Sequence, residues 1–339
     1  MKIIIDDKIP YIRPAMAKLG AEAVYLSGAH ISAADVADAD ALIVRTRTRC
    51  DRRLLGGSNV TFVATATIGY DHLDTQWLGK AGISWVSCPG CNAASVAQYV
   101  EAVLLLLERE KGRRLAGSTL GIVGCGHVGS RVLEKAEALG MRVLVCDPPL
   151  SLSPLASRLS PLPRFVSLGQ IAAQADIITF HVPLDETTHH LADSRFFSSL
   201  KRRPVLINSS RGPVVDTAAL IAALDNRIVS DAIVDTWENE PLIDRELLRR
   251  AYIATPHIAG YSADGKVNAD NMVIKALCQH FSLPVPPPIV PPSLPSGFVY
   301  TGDPLQLYNP LDDSRRLKLS PDSFEQLRGN YPLRREFFG

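Results

Sequence analysis

Leu120-Gly-Ile-Val-Gly-Cys-Gly-His-Val-Gly129 joins a short aliphatic run to a Gly-x-Gly-x-x-Gly turn and then to a segment of helical period. A run of this length bounded by glycines reads as a buried strand, and the residues after it read as the helix that returns along the sheet. The glycines have separate tasks in such a turn. Gly124 permits the tight bend, Gly126 lets the backbone approach a pyrophosphate, and Gly129 lets helix and strand pack closely. The helix amino terminus, with His127 and Val128 in its first turn, then offers free amides to an anion.

Glycine turns are common, so the flanking sequence decides the reading. Asp147 stands 18 residues beyond Gly129, at the end of the run Arg142-Val-Leu-Val-Cys-Asp147. A carboxylate there can accept hydrogen bonds from both ribose hydroxyls and repels a 2′-phosphate, which favours NAD over NADP. Pro148 and Pro149 supply no arginine to reverse that preference. A solvated strand end is the plainer reading of the same residue.

Working outward, strands are expected at 120–123, 142–146, 176–180, 204–207, 231–235 and 252–254, enough for a complete dinucleotide-binding sheet. A first series is expected at 3–5, 41–44, 61–64 and 83–86, again alternating with helical stretches. The fold class is therefore α/β, with two doubly wound parallel-sheet domains and a small carboxyl-terminal segment. Residues 1–94 and 262–283 form a discontinuous substrate domain in this reading. Residues 95–261 form the nucleotide domain, entered through a long helix over 92–109. Proline dominates 284–295, a composition that stiffens the chain and suggests a linker. The remaining 296–339 is too small to be stable without a docking surface.

Bulk composition excludes several classes. The 339 residues, 46% hydrophobic with a formal charge of +1, describe a globular chain with no overall pull toward nucleic acid or membrane. The strongest apolar stretch, Val103 to Leu107, is far too short to span a bilayer. Met1-Lys-Ile-Ile-Ile-Asp-Asp7 lacks a signal-peptide core, so a cytoplasmic location is expected. The six cysteines are scattered, and Cys88-Pro-Gly-Cys91 has no second half-site at zinc spacing, so reduced structural thiols are expected.

Three motifs downstream carry candidate chemistry. Asn208-Ser-Ser-Arg-Gly-Pro-Val-Val-Asp216 follows a strand, which places Ser209, Ser210 and Arg211 at a carboxyl-terminal sheet edge, where such folds bind ligands. A guanidinium there can hold a carboxylate through two parallel hydrogen bonds. Asp235-Thr-Trp-Glu-Asn-Glu-Pro241 begins at the end of another strand, and His257 follows the last one in Thr255-Pro-His-Ile-Ala-Gly260. A cation for a carboxylate, a base for a hydroxyl proton and an acid to tune that base are what oxidation of a hydroxy acid requires. Taken singly, each has an ordinary structural reading as surface arginine, loop glutamate or packed histidine.

With these motifs in order, the chain resembles the D-2-hydroxyacid dehydrogenase family as far as the proline-rich stretch. The resemblance implies that Arg211 binds the substrate carboxylate and that Glu240 is hydrogen-bonded to His257. Neutral His257 would then take the hydroxyl proton, with no metal needed. Within the family, the passages Ile5-Asp-Asp-Lys-Ile-Pro10, Asp38-Ala-Asp-Ala-Leu-Ile-Val-Arg45, Phe62-Val-Ala-Thr-Ala-Thr-Ile-Gly-Tyr-Asp-His72, Pro89-Gly-Cys-Asn-Ala93, Cys146-Asp-Pro-Pro149 and His257-Ile-Ala-Gly-Tyr261 are similar to a branch that acts on a phosphorylated 2-hydroxy acid. That likeness implies substrate contacts at Thr46, Thr67 and Tyr261, and NAD neighbours at Arg211, Asp235 and Gly260. Arg45 is expected to help hold the terminal phosphate, while Arg47 and Arg49 read equally well as a solvated edge. Val182, where the branch usually has threonine, leaves only backbone atoms for any cofactor contact. A homodimer is implied as well, although the segment ending Phe337-Phe-Gly339 is shorter than the branch's usual dimerisation region.

Two other readings stay open. One keeps the chemistry and changes the acid, to 3-phosphoglycerate or to hydroxypyruvate and glyoxylate. The other is an NAD-sensing, corepressor-like binding protein with the proline-rich stretch as a docking segment.

Overall fold

A computed structural model describes residues 1–154, 156, 163–294 and 296–336. The last residue of the proline-rich stretch, Pro295, and the final 337–339 lie outside the described residues. The chain forms two compact units, Met1–Asn92 with Ser262–Ser296, and Ala93–Tyr261 with Gly297–Gly339.

The first unit is built on five parallel strands: β1 (Lys2–Asp6), β2 (Glu22–Leu26), β3 (Ala41–Val44), β4 (Phe62–Thr65) and β5 (Ser84–Val86). Their order is β2-β1-β3-β4-β5, so the chain reverses direction across the sheet between β1 and β3. The central strands β3 and β4 are buried throughout and almost wholly apolar, as a sheet covered on both faces requires. Strand β2 escaped the sequence reading. It lies at the sheet edge and is only partly buried, so Glu22-Ala-Val-Tyr-Leu26 lacks the continuous aliphatic signature of its neighbours.

The helix Ala263–His280 covers one face through Ala269, Val273, Ile274 and Leu277, and the Ser262 hydroxyl caps it by accepting from the Gly265 amide at 2.8 Å. Beyond that helix the expected linker differs from what is found. Leu283 and Ile289 pack on the unit's core, and the Asn271 side chain bonds both the amide and the carbonyl of Ile289 at 2.8 and 2.9 Å. Proline stiffness here serves a strap laid along the first unit.

Seven parallel strands organise the second unit: β6 (Thr119–Val123), β7 (Arg142–Cys146), β8 (Arg164–Phe165), β9 (Ile177–Phe180), β10 (Val205–Asn208), β11 (Asp231–Val234) and β12 (Ile253–Ala254). Their order is β12-β11-β10-β9-β6-β7-β8. Six were expected, and the two-residue β8 is too short to show a period. The long helix runs Ala93–Lys111, and its near-continuous buried run Val96–Leu107 packs with Leu120, Ile122, Val132 and Ile207.

The carboxyl-terminal segment belongs to this unit. Its helix Pro310–Leu319 lies beside edge strand β12, where the Ser314 hydroxyl accepts the Ala254 amide at 3.0 Å. Leu317 and Phe324 enter the unit's core. An unpaired edge is thereby covered and its backbone donor satisfied. Among the described residues, no helix is long and apolar enough to cross a membrane. All six cysteines are free and buried.

Candidate active site

Because every strand of the second unit runs the same way, β6, β9, β10, β11 and β12 all deliver their loops to one edge. At the switch point between β6 and β9, Gly124 takes φ +89°, and a Cβ there would press against the His181 carbonyl and Val182. A Cβ at Gly129 would collide with the Gly124 carbonyl. Gly126 has open space before it and caps the helix His127–Ala138 with no side chain, which leaves the first-turn amides to an incoming anion. Asp147 directly follows β7, with its carboxylate anchored by the Cys125 amide at 2.8 Å and the Leu150 amide at 2.9 Å. Each oxygen retains acceptor capacity. The cradle fits a dinucleotide pyrophosphate, with a ribose on the carboxylate. His181, beneath this loop, is held neutral by burial, with its pKa pulled down to about 3.

Asn208 shapes the next loop. Its Oδ1 accepts from the Ser210 amide and hydroxyl, at 3.2 and 2.9 Å, while its Nδ2 donates to the Arg211 carbonyl at 3.0 Å. Arg211, half-buried, donates from Nη1 to the Ser210 carbonyl at 2.8 Å. Its neighbour Gly212 lies so close to the Trp237 carbonyl that no Cβ fits, which fixes the arginine loop against the loop that carries Glu240. Ser209 keeps a buried hydroxyl oxygen without a protein partner, beside the position expected for the cofactor.

Asp235 organises the histidine. Fully buried, it accepts from the Thr255 hydroxyl at 2.6 Å and from the Ile258 and Ala259 amides at 2.8 and 3.0 Å, while its carbonyl takes the His257 amide at 2.8 Å. Burial pushes this carboxyl up, against the neighbouring His257 and these hydrogen bonds. The grip holds His257 at φ +57°, a left-handed conformation that costs a non-glycine residue about 1–3 kcal/mol. In return the ring meets Glu240, with Nδ1 2.8 Å from Oε2. Oε1 of Glu240 accepts the Trp237 amide at 2.9 Å. Burial opposes the Glu240 charge, yet the bond to His257, its charge, the Trp237 amide and Arg328 hold the carboxyl below its ordinary value. An ionised carboxylate only accepts, so Nδ1 carries the proton and Nε2 of a neutral ring carries the lone pair.

The structure thus joins Asp235, Glu240 and His257 directly and places Arg211 on a loop packed against theirs. Gly260 and Tyr261, both half-buried, come next on the histidine loop. The other predicted positions lie at the corresponding edge of the first unit. Arg45 follows β3 with Nε 3.0 Å and Nη2 3.3 Å from the carboxylate of Asp6, which ends β1 and is wholly buried. Its charge is therefore matched by a carboxylate that the sequence reading did not anticipate.

Thr46 is exposed, as are Arg47 and Arg49, and Arg49 pairs with Asp51 at 3.1 Å. Thr67 donates to the Gly69 carbonyl at 2.9 Å, so Thr65, 2.6 Å away, must donate to it, and His72 Nε2–H must donate to Thr65 at 3.0 Å. Thr67 therefore meets any ligand as an acceptor. Burial lowers the His72 pKa, in keeping with a neutral ring.

Two arginines of the carboxyl-terminal segment were missed. Arg334, buried, donates to the Ile258 and Tyr261 carbonyls at 3.0 and 2.9 Å, to the Ser95 hydroxyl at 3.0 Å and to the Gln98 side chain at 3.0 Å, and stacks 4.0 Å over Tyr308. It clamps the backbone that comes after His257. Arg328 reaches Glu240 and Tyr261. No local pattern announces either, since the partners they reach in the loops around Glu240 and His257 lie at least 67 positions away.

Residues 97–259 match the family described as D-isomer specific 2-hydroxyacid dehydrogenase, NAD binding domain. Over 99% of its length the chain is 51% identical to an erythronate-4-phosphate dehydrogenase of Bacteroides thetaiotaomicron, of which it covers 97%. A protein of the same name from Edwardsiella ictaluri is 41% identical, with 99% of this chain and 93% of that one aligned. Among solved structures, a Thermus thermophilus protein superposes with TM-score 0.71 at 27% identity, over 86% of this chain and 100% of that one. A D-lactate dehydrogenase from Aquifex aeolicus, complexed with NAD and lactic acid, shares the fold with TM-score 0.69 at 24% identity, over 83% and 96%. The chain belongs to the D-isomer specific 2-hydroxyacid dehydrogenase family, among relatives named erythronate-4-phosphate dehydrogenase, and is an NAD-dependent dehydrogenase.

Proposed function

We propose that the enzyme oxidises the C2 hydroxyl of 4-phospho-D-erythronate to give 2-oxo-3-hydroxy-4-phosphobutanoate, a step toward pyridoxal 5′-phosphate. The observation that carries the chemistry is the 2.8 Å contact between His257 Nδ1 and Glu240, which leaves Nε2 as the base. In this reading Arg211 holds the substrate carboxylate and the reacting oxygen by its fork of donors. His257 Nε2 accepts the hydroxyl proton as the C2–O bond gains double-bond character, and Glu240 stabilises the imidazolium formed. NAD, when bound, supplies the acceptor for the hydride from C2. Gly124, Gly126, His127, Val128 and Gly129 would hold its pyrophosphate and Asp147 its ribose, with Val182, Ser209, Ser210, Asp235 and Gly260 around it.

The choice of acid rests on the full-length similarity to relatives of that name. Thr46, Thr67 and Tyr261 are the proposed substrate contacts, and Arg45, oriented by Asp6, is the proposed phosphate ligand. A homodimer in the cytoplasm belongs to the same proposal, and light scattering checks the assembly. Initial rates of NAD reduction with 4-phospho-D-erythronate, 3-phosphoglycerate, D-glycerate and glycolate test the substrate. The proposal expects the first to exceed the others in kcat/KM by at least about a hundredfold, since a site built for buried charge rejects analogues lacking it. Equal rates on erythronate 4-phosphate and glycerate would refute the phosphate site.

A further inference from the structure

The helix Phe324–Gly329 carries an arginine that turns inward. Arg328 Nε donates to the Tyr261 hydroxyl at 3.2 Å, and its Nη1 lies 3.6 Å from Oε2 of Glu240, the same oxygen that takes the His257 Nδ1 proton. Both charged side chains are largely withdrawn from water, at 23% and 18% exposure, so bulk solvent screens the pair only partly. Helix position is set separately: Phe324 sits in the unit's core, and Arg334 clamps the carbonyls of Ile258 and Tyr261 from below.

We propose that Arg328 is a positioning residue of the acid–base pair. It fixes the Glu240 carboxylate and the Tyr261 hydroxyl, and it offsets part of the carboxylate's pull on the His257 proton. A carboxylate bonded to an imidazole favours imidazolium in general, and a cation beside that carboxylate opposes the effect. Among the described residues of this unit, the charged and titratable groups around the histidine loop are Glu240 through its hydrogen bond, Asp235 beneath the loop, Arg334 on the Ile258 and Tyr261 carbonyls, and Arg328 with Tyr261 from the carboxyl-terminal side. Such a balance keeps the base ready to accept a proton without making it too reluctant to release one. The segment beyond residue 296, whose described residues add no strand to either sheet, thereby acquires a task in the reaction.

The inference rests on His257 being the proton acceptor of the proposed reaction. Its test is the pH dependence of kcat/KM for oxidation in R328Q and R328K. Removal of the cation raises the affinity of His257 for its proton, so the acid limb in R328Q moves upward by about one pH unit. R328K keeps the charge and holds the limb near its original place, although it raises KM through the looser grip on Tyr261. Should R328Q fail to fold with Glu240 left without its cation, E240Q and E240Q/R328Q replace it, the double variant stranding neither charge. The double variant then has the higher limb by a similar amount. An unmoved limb, or equal shifts in the lysine and glutamine variants, overturns the role of Arg328. A limb that survives in H257N overturns instead the assignment of the base, so the two failures are distinguishable.

Discussion

The two sheet edges use buried carboxylates in opposite ways. In the second unit, Asp235 spends its acceptors on backbone amides and a hydroxyl, and the histidine it positions is tied on one side only. In the first, both Asp6 oxygens take the Arg45 guanidinium, with the Lys8 amide also on Oδ1, and the neighbouring threonines and His72 form a donor chain that ends on the Gly69 carbonyl. A group that must gain and lose a proton needs one nitrogen left open. A group that must recognise a fixed charge needs its orientation held instead. In the proposed reaction, the first arrangement suits the chemistry and the second suits recognition.

Variants that break this division rank by size. H257A removes the open nitrogen and should lower kcat by about a hundred- to ten-thousandfold, with NADH binding by fluorescence unchanged. R211K retains charge but loses the fork, and a drop of about a hundredfold in kcat/KM is expected. E240Q should lower the rate about tenfold. Because the lost charge had favoured imidazolium, it also moves the acid limb of oxidation down by about one pH unit. An unchanged rate and profile in E240Q would mean that the 2.8 Å pairing has no catalytic consequence.

D6N leaves Arg45 without its carboxylate and should change KM several-fold while kcat stays within about twofold, as expected for a group that binds ground and transition states alike. A larger loss in kcat than in KM would erase the distinction between the edges.

The smallest expected effect concerns stability. Asp270, buried in the helix Ala263–His280, has its pKa pushed up to about 7 by burial. A carboxyl that is harder to ionise when folded contributes its full stability below its unfolded pKa and loses it as pH rises through the folded value. D270N should therefore match the parent near pH 4 and be the more stable of the two at pH 8, read by denaturant unfolding.

Legibility in the sequence divides along the same line. Gly124, Gly129 and Asp147 lie within one strand–turn–helix and the next strand, so spacing alone located them. Arg211, Glu240 and His257 stand at the ends of apolar runs that mark consecutive strands. Arg45 was equally visible, but its partner Asp6 sits on a strand 39 positions earlier, and only sheet order makes them neighbours. Arg328 and Arg334 were illegible for a stronger form of that reason. They occupy a charged tail whose composition reads as solvated, and their burial comes from acceptors up to 239 positions distant. The strap over 283–294 misled through composition, because proline stiffness is the same whether a segment spans solvent or lies on a core.

The most direct test of the central claim is single-turnover formation of NADH, followed by fluorescence after mixing enzyme and NAD with 4-phospho-D-erythronate. The parent enzyme should give rapid formation of NADH. H257N, with NADH affinity intact, should form it at least about a hundredfold more slowly. Equal rates in the two proteins would contradict the account, since the nitrogen facing away from Glu240 would then carry no proton in the reaction.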